Sequence, residues 1–172
     1  AATPEKQIEI INQLVAQNVA GIAIAANDAD ALQPALTEAM DAGIKVISLD
    51  SAVNKDSRQT HIQQADPEKI GRGLIQAAYE MVDGNGGIAV LSATAQATNQ
   101  NLWIEWMKKE LEENPEKYAN TPLIKVAYGD DDPTKSTSET QALLTDSSIK
   151  VIIAPTTVGM LAAGKGLQDK QS

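Results

Sequence analysis

Short apolar runs alternate with segments of helical period along most of this 172-residue chain, and the connections between them are brief. That alternation is the pattern of a parallel sheet flanked by helices, because parallel neighbours must be joined by a crossover. Thr3-Pro4-Glu5 starts a helix, with Thr3 as N-cap and Pro4 at the first helical position. Ile8, Ile11, Leu14 and Val15 then share one face to about Gln17. Ala20 to Ala25 reads as a strand, Asn27 to Asp30 as a loop and cap, and Leu32, Leu36 and Met40 as the inner face of a helix that Gly43 ends. The strand Ile44 to Ser51 follows, and its β-branched run suits a parallel strand covered on both faces. It stops abruptly at Asp50, where open α/β sheets place ligands, just beyond a strand's carboxyl end.

The layout then repeats. After a polar loop over 53–58, Gln59 to Gln63 can be extended, and a lobe boundary is expected near Gln64 and Ala65. Asp66-Pro67 opens a helix carrying Ile70, Leu74, Ala77, Ala78 and Met81. Gly84 to Gly87 turns into the strand Ile88 to Leu91, and a small polar loop, Ser92 to Asn101, runs into a helix with Trp103, Trp106, Met107 and Leu111. Leu123 to Tyr128 and Ile149 to Ala154 are the next strands, with helices from Asp132-Pro133 and over Val158 to Leu167. The expected class is therefore α/β with two doubly wound parallel-sheet lobes, a coarse repeat without a residue-level period. Opening on a helix and closing on the polar tail Gln168 to Ser172 makes the chain read as a fragment with both lobes incomplete.

Fourteen basic against twenty-three acidic residues leave a net charge of −9, which repels a phosphate backbone and argues against nucleic acid as partner. No run approaches the roughly 20 apolar residues that span a bilayer, and no charged-then-apolar leader opens the sequence. Absence of cysteine excludes disulfides and thiolate metal sites. With no Phe and five aromatics in all, the core has to be aliphatic.

Several features point to chemistry and are better explained by structure. His61 has no nucleophile or carboxylate to pair with in the sequence, so a structural or surface role is expected. Gly159 to Gly166 approaches a phosphate-binding loop, but Gly166 stands where the metal-binding hydroxyl belongs, and a glycine-terminated helix end is expected instead. Gly84 to Gly87 precedes its strand, whereas a dinucleotide fingerprint follows one. In Asp130-Asp131-Asp132-Pro133, Asp132 is expected as an N-cap with the other two solvated. Arg58 and Arg72 read as ordinary surface residues. Trp103 and Trp106 share a helical face; Trp103, nearer the loop, is the candidate to line a binding site.

The run Gln7 to Leu14, the strand end Leu49-Asp50-Ser51, the loop Thr98-Asn99-Gln100-Asn101-Leu102-Trp103 and the strand end Ile153-Ala154-Pro155-Thr156-Thr157 resemble the type I periplasmic sugar-binding proteins of ABC importers. The likeness covers essentially the whole chain and is greatest to the branch of rhamnose-binding proteins and receptors for the furanosyl autoinducer. It implies the periplasmic binding protein-like I fold, two lobes closing on one ligand, with residues 1–64 matching the later part of the N-terminal lobe and 65–172 most of the C-terminal lobe. It also implies ligand contacts at Asp50, Asn99, Gln100, Pro155 and Thr157. Asn99 stands where the autoinducer receptors look to carry Asp, and Thr157 where they have a smaller residue, which favours a plain sugar such as rhamnose. The chemistry agrees: sugar hydroxyls both donate and accept, so carboxylates and side-chain amides suit them, and an aromatic ring suits a pyranose C–H face.

The implied function is a non-catalytic, extracytoplasmic binding protein that needs no cofactor or metal and hands a monosaccharide to a membrane permease. Self-association of the fragment is expected, because a lobe lacking its central strand leaves unpaired edges. The alternatives are the effector-binding core of a sugar-responsive repressor, which requires a basic helix-turn-helix, and an α/β enzyme on a sugar, which requires an acid or base with a partner. Fold alone does not separate the three.

Overall fold

The structure, a computed structural model, describes residues 3–171. It divides into two compact units, one running to Asp66 and including Gln96–Asn99, the other made of Pro67–Ala95 and the chain from Gln100 onward. In order the elements are α1 (Pro4–Ala16), β1 (Gly21–Ile24), α2 (Ala29–Asp41), β2 (Lys45–Leu49), β3 (Thr60–Ile62), α3 (Pro67–Met81), β4 (Gly87–Ser92), α4 (Thr98–Glu113), β5 (Leu123–Tyr128), α5 (Pro133–Thr145), β6 (Ile149–Ile153) and α6 (Thr157–Gln171), with a short 3-10 turn at Lys55–Ser57. The α/β class with parallel sheets is thus present in both units.

In the first unit the sheet order is β1-β2-β3, all parallel, with Gly21 opposite Lys45, Ile24 opposite Ser48 and Leu49 opposite Ile62. The Thr3 hydroxyl accepts from the Lys6 backbone N–H at 3.3 Å with Pro4 following, and Asp28 Oδ1 accepts from Asp30 and Ala31 N–H at 3.0 and 2.9 Å. Both helix starts are those the caps dictate. Helices α1 and α2 pack on each other, and their Ile11, Leu32, Leu36 and Ala39 bury Ile22, Ile24 and Val46. Each fully buried branched side chain here stabilises the unit by about 1.5–3 kcal/mol.

The other face of this sheet is not covered by the described residues. Gly21, Ala23 and Lys45 are exposed there, Leu49 is 40% exposed and Ile62 58%. Among the described residues, then, the strand ending at Asp50 is covered on one face. Period-two alternation decides it: Val46 and Ser48 point into the helices, and Lys45 and Leu49 point away.

The second unit shows the two-faced arrangement. Its order is β5-β4-β6, and every residue of the central strand β4 is buried. Ile88 and Val90 meet Ile75, Ala78, Ile104 and Met107 of α3 and α4, while Ala89 and Leu91 meet Ala127, Leu143 and Ala154 on the other side. Helices α3 and α4 cross closely at Gly71, where an added Cβ would lie 2.5 Å from the Trp103 carbonyl oxygen and from Trp106 Cβ.

Arg72 is not an ordinary surface residue. Its guanidinium donates to Glu68 at 2.9 Å, Glu110 at 2.8 Å and Glu113 at 2.7 Å, and lies 5.1 Å from the centre of the Trp106 ring. The Tyr118 hydroxyl donates to the second oxygen of Glu110 at 2.9 Å and its ring meets Tyr79 edge-on. Burial pushes the Glu110 carboxyl up, but hydrogen bonds from Arg72 and Tyr118 and the Arg72 charge outweigh it and hold the group below the usual glutamate value.

Three further expectations are corrected. Gly159, Gly164 and Gly166 lie inside α6, which continues to Gln171 where a polar tail was expected; Ser172 falls outside the described residues. At Gly166 a Cβ would come within 2.7 Å of Thr140 Cγ2, so this position serves the packing of α6 on α5 and does not end a helix. Thr98 to Asn101 are already helical. Asp132 does cap α5, accepting from Lys135 N–H at 2.7 Å, but Asp130 pairs with the Lys135 ammonium and Asp131 accepts from the Thr156 hydroxyl, so neither is simply solvated.

Gly71→Ala is expected to destabilise the second unit by about 1–3 kcal/mol through overpacking, read from urea unfolding. Glu110→Gln is expected to cost about 1–3 kcal/mol at pH 7. Because the folded Glu110 pKa is depressed, its contribution is complete above the unfolded value and disappears as pH falls through the folded one. The gap between the variant and the unmodified chain should therefore narrow in unfolding curves as pH falls below the ordinary glutamate value of about 4.3.

Candidate functional site

β2 delivers Asp50 to the carboxyl end of the first sheet, where its N–H continues the ladder onto the Ile62 carbonyl at 3.2 Å. The chain then turns sharply, with Asp50 at φ 56°, in the left-handed region that non-glycine residues rarely occupy. Among the described residues the other non-glycine positions of this kind are Asn18, Asp83, Asp130 and Asp131. Asn18 and Asp83 follow helices, where a left-handed residue is an ordinary terminator. Asp50, Asp130 and Asp131 follow β2 and β5, so the backbone strain, about 1–3 kcal/mol each, sits at strand carboxyl ends.

The Asp50 carboxylate is exposed yet held. Gln64 Nε2 donates to its Oδ1 at 2.5 Å, and Asn99 Nδ2 donates to the same oxygen at 3.3 Å, all three residues lying in the first unit. Beside it Ser51 is buried with no hydrogen-bond partner for its hydroxyl, and its carbonyl accepts from Ala26 N–H at 3.0 Å. Gln7 of α1 fixes the loop after β1 by donating to the Ala25 carbonyl at 2.7 Å and accepting from Asn27 N–H at 2.9 Å.

In the second unit Gln100 is buried in the first turn of α4, and its Oε1 accepts from Ser92 Oγ at 2.7 Å and Ala93 N–H at 2.8 Å. That carboxamide oxygen is spent on fixing the end of β4. Trp103 is half-buried and packs against the cluster containing Ile75 and Met107, with its indole N–H buried and unpartnered. Pro155 follows β6 half-buried, and Thr157 is the exposed first residue of α6. Between them, Thr156 ties the β6 end to Asp131 after β5. The contacts of Gln64, Asp131 and Thr156 are what sequence reasoning did not find. Their partners are 14 or 25 residues away, so no local spacing advertises them.

The single histidine does have a hydroxyl partner, which corrects the reading that it has nothing to pair with. Ser48, fully buried, bonds to His61 Nδ1 at 2.8 Å and accepts from Arg58 Nη1 at 2.9 Å, while His61 Nε2 meets Gln63 Oε1 at 2.8 Å. Arg58 thus belongs to this network, which corrects its reading as an ordinary surface residue. A hydroxyl with no solvent access is closed to a substrate. Among the described residues no group of three His, Asp or Glu side chains is placed to hold a metal, and no helix is long and apolar enough to cross a membrane. Depressions of about 420 Å³ at Leu111, Tyr118 and Leu123 and of about 320 Å³ between α5 and α6 include none of the candidate residues.

The strand ends of each unit offer hydrogen-bonding groups: in the first a fixed carboxylate and side-chain amides, in the second hydroxyls and a carboxylate. Such groups suit a neutral, hydroxyl-rich ligand. A family model described as a periplasmic binding protein domain matches residues 1–172. An ABC transporter solute-binding protein from Clostridium phytofermentans, solved with bound L-rhamnose, is 51% identical over 98% of this chain with a TM-score of 0.93. A sugar ABC transporter protein from Actinomyces odontolyticus is 39% identical over 97% of the chain with a TM-score of 0.64. LsrB from Clostridium saccharobutylicum, in complex with AI-2, is 24% identical over 98% with a TM-score of 0.88, a likeness of fold alone. This chain spans only about half of each of them, 52%, 54% and 54% respectively. By the match along its whole length, the chain belongs to the periplasmic binding protein domain family.

Proposed function

We propose that the chain works as part of a full-length, non-catalytic solute-binding protein that binds a monosaccharide of the L-rhamnose type outside the cytoplasm and presents it to the permease of an ABC importer. The observation that carries this reading is the 51% identity, across nearly the whole chain, to a protein solved with L-rhamnose. The strand ends support it. Asp50 and Asn99 are assigned to ligand hydroxyls, with Pro155 and Thr157 contributing from the β6 end. Gln100 is assigned to shape the loop at the end of β4 beside the ligand, and Trp103 offers the part of its ring that the core does not cover.

A carboxylate accepting from a sugar hydroxyl makes a charge-assisted hydrogen bond, and such bonds are worth about 1.5–3 kcal/mol. The autoinducer-bound LsrB, at 24% identity, gives the autoinducer reading less than half that support. Self-association is not part of the reading, since nothing in the family likeness supports it. The division of the chain at 64/65 into parts of two lobes is retained as part of this proposal.

The test is calorimetry of the full-length protein with L-rhamnose, other deoxysugars, pentoses and the autoinducer. L-rhamnose or a near relative is expected to bind, and Asp50→Ala is expected to weaken it at least about tenfold, or 1.4 kcal/mol. Binding of none of the sugars would overturn the proposal, and unchanged affinity in Asp50→Ala would remove Asp50 from the site.

A further inference from the structure

We infer that Gln64 is a positioning residue for sugar binding: it clamps one oxygen of the Asp50 carboxylate so that the other is presented to the ligand. The inference rests on the proposed role of Asp50 and adds to it a residue and a division of labour between the two carboxylate oxygens.

The geometry begins in the ladder. Leu49 lies opposite Ile62, and Asp50 N–H reaches the Ile62 carbonyl at 3.2 Å, so the chains leaving β2 and β3 remain side by side past the last paired residues. Gln64, two residues beyond Ile62, is thereby within reach of a side chain at position 50. The left-handed turn at Asp50 takes the chain off its extended path at this point. Gln64 Nε2 closes on Oδ1 at 2.5 Å and Asn99 Nδ2 meets the same oxygen at 3.3 Å. Both amides are engaged with Oδ1, and no donor among the described residues is engaged with Oδ2.

A free carboxylate rotates about its last torsion and exchanges its two oxygens; one pinned by an amide on Oδ1 holds Oδ2 in a single direction. Pinning lowers the ordering cost that a ligand hydroxyl otherwise meets on binding. Gln64 is exposed, so its removal acts on the carboxylate and not on folding.

The experiment is a double-mutant cycle in the full-length protein, titrated calorimetrically with L-rhamnose, comparing unmodified protein, Gln64→Ala, Asp50→Ala and the double variant. Gln64→Ala is expected to weaken binding about three- to tenfold in the presence of Asp50, with unchanged thermal unfolding, and to have no effect in the Asp50→Ala background. Equal affinity for Gln64→Ala and the unmodified protein overturns the inference while leaving the sugar-binding reading in place. So does an equal loss in both backgrounds, which would mean that Gln64 acts through something other than Asp50. If the unmodified protein binds neither L-rhamnose nor any other sugar of the panel, the role of Asp50 fails and this inference fails with it.

Discussion

Parallel pairing is the constraint on which the rest depends. When β1, β2 and β3 run the same way, every strand of the first unit ends at the same edge, and the loops leaving that edge are thrown together whatever their distance in sequence. Asp50 and Gln64 meet for that reason, and so, in the second unit, do Asp131 and Thr156 at the ends of β5 and β6. Strand ends gather polar side chains because the backbone there has left the ladder and its groups seek partners.

The two sheets meet this constraint with different covering. β4 is buried on both faces because it lies between β5 and β6, with α3 and α4 on one side and α5 on the other. In the first unit α1 and α2 pack against each other on a single face, and Ala23, Leu49 and Ile62 stand exposed on the other. The energetic consequence is that β2 buries only Val46 and Ser48 among its five residues, whereas β4 buries all six. The second unit also adds an electrostatic tie that the first lacks among its described contacts, the guanidinium of Arg72 shared by three glutamates over the face of Trp106.

How much of this was legible follows from the range of the interactions involved. Caps at Thr3, Asp28 and Asp132 and the apolar periods of the helices are local, and they placed the elements and the α/β class. Among the described residues the coverage of the two strands follows their composition: Ile44 to Leu49, interrupted by Lys45 and Ser48, is buried on one face, and the uninterrupted Ile88 to Leu91 on both. Glycine, by contrast, is ambiguous. Gly166 looks like a helix terminator in sequence, and only the approach of Thr140 from α5 shows that it is a packing position. Arg58 and Arg72 look alike as exposed cations, and only tertiary partners separate a residue bonded to buried Ser48 from one bound to three carboxylates.

The candidate site shows the same split between what position implies and what partners do. Asp50 announces itself as a carboxylate at the end of an apolar run, and the family likeness adds Asn99 and Gln100 as a pair. The structure gives the two amides different tasks: Asn99 faces Asp50, while the Gln100 oxygen is consumed by Ser92 and Ala93. A buried amide oxygen with two donors cannot release them to a ligand without leaving both unsatisfied, a loss of about 1–3 kcal/mol for each. An exposed amide on a carboxylate is under no such restriction, because water can replace it. Gln100 therefore sets the shape of the β4 end, and the left-handed turn at Asp50, tolerated by a short acidic side chain that meets the Gln64 amide, is where rigidity and exposure coincide.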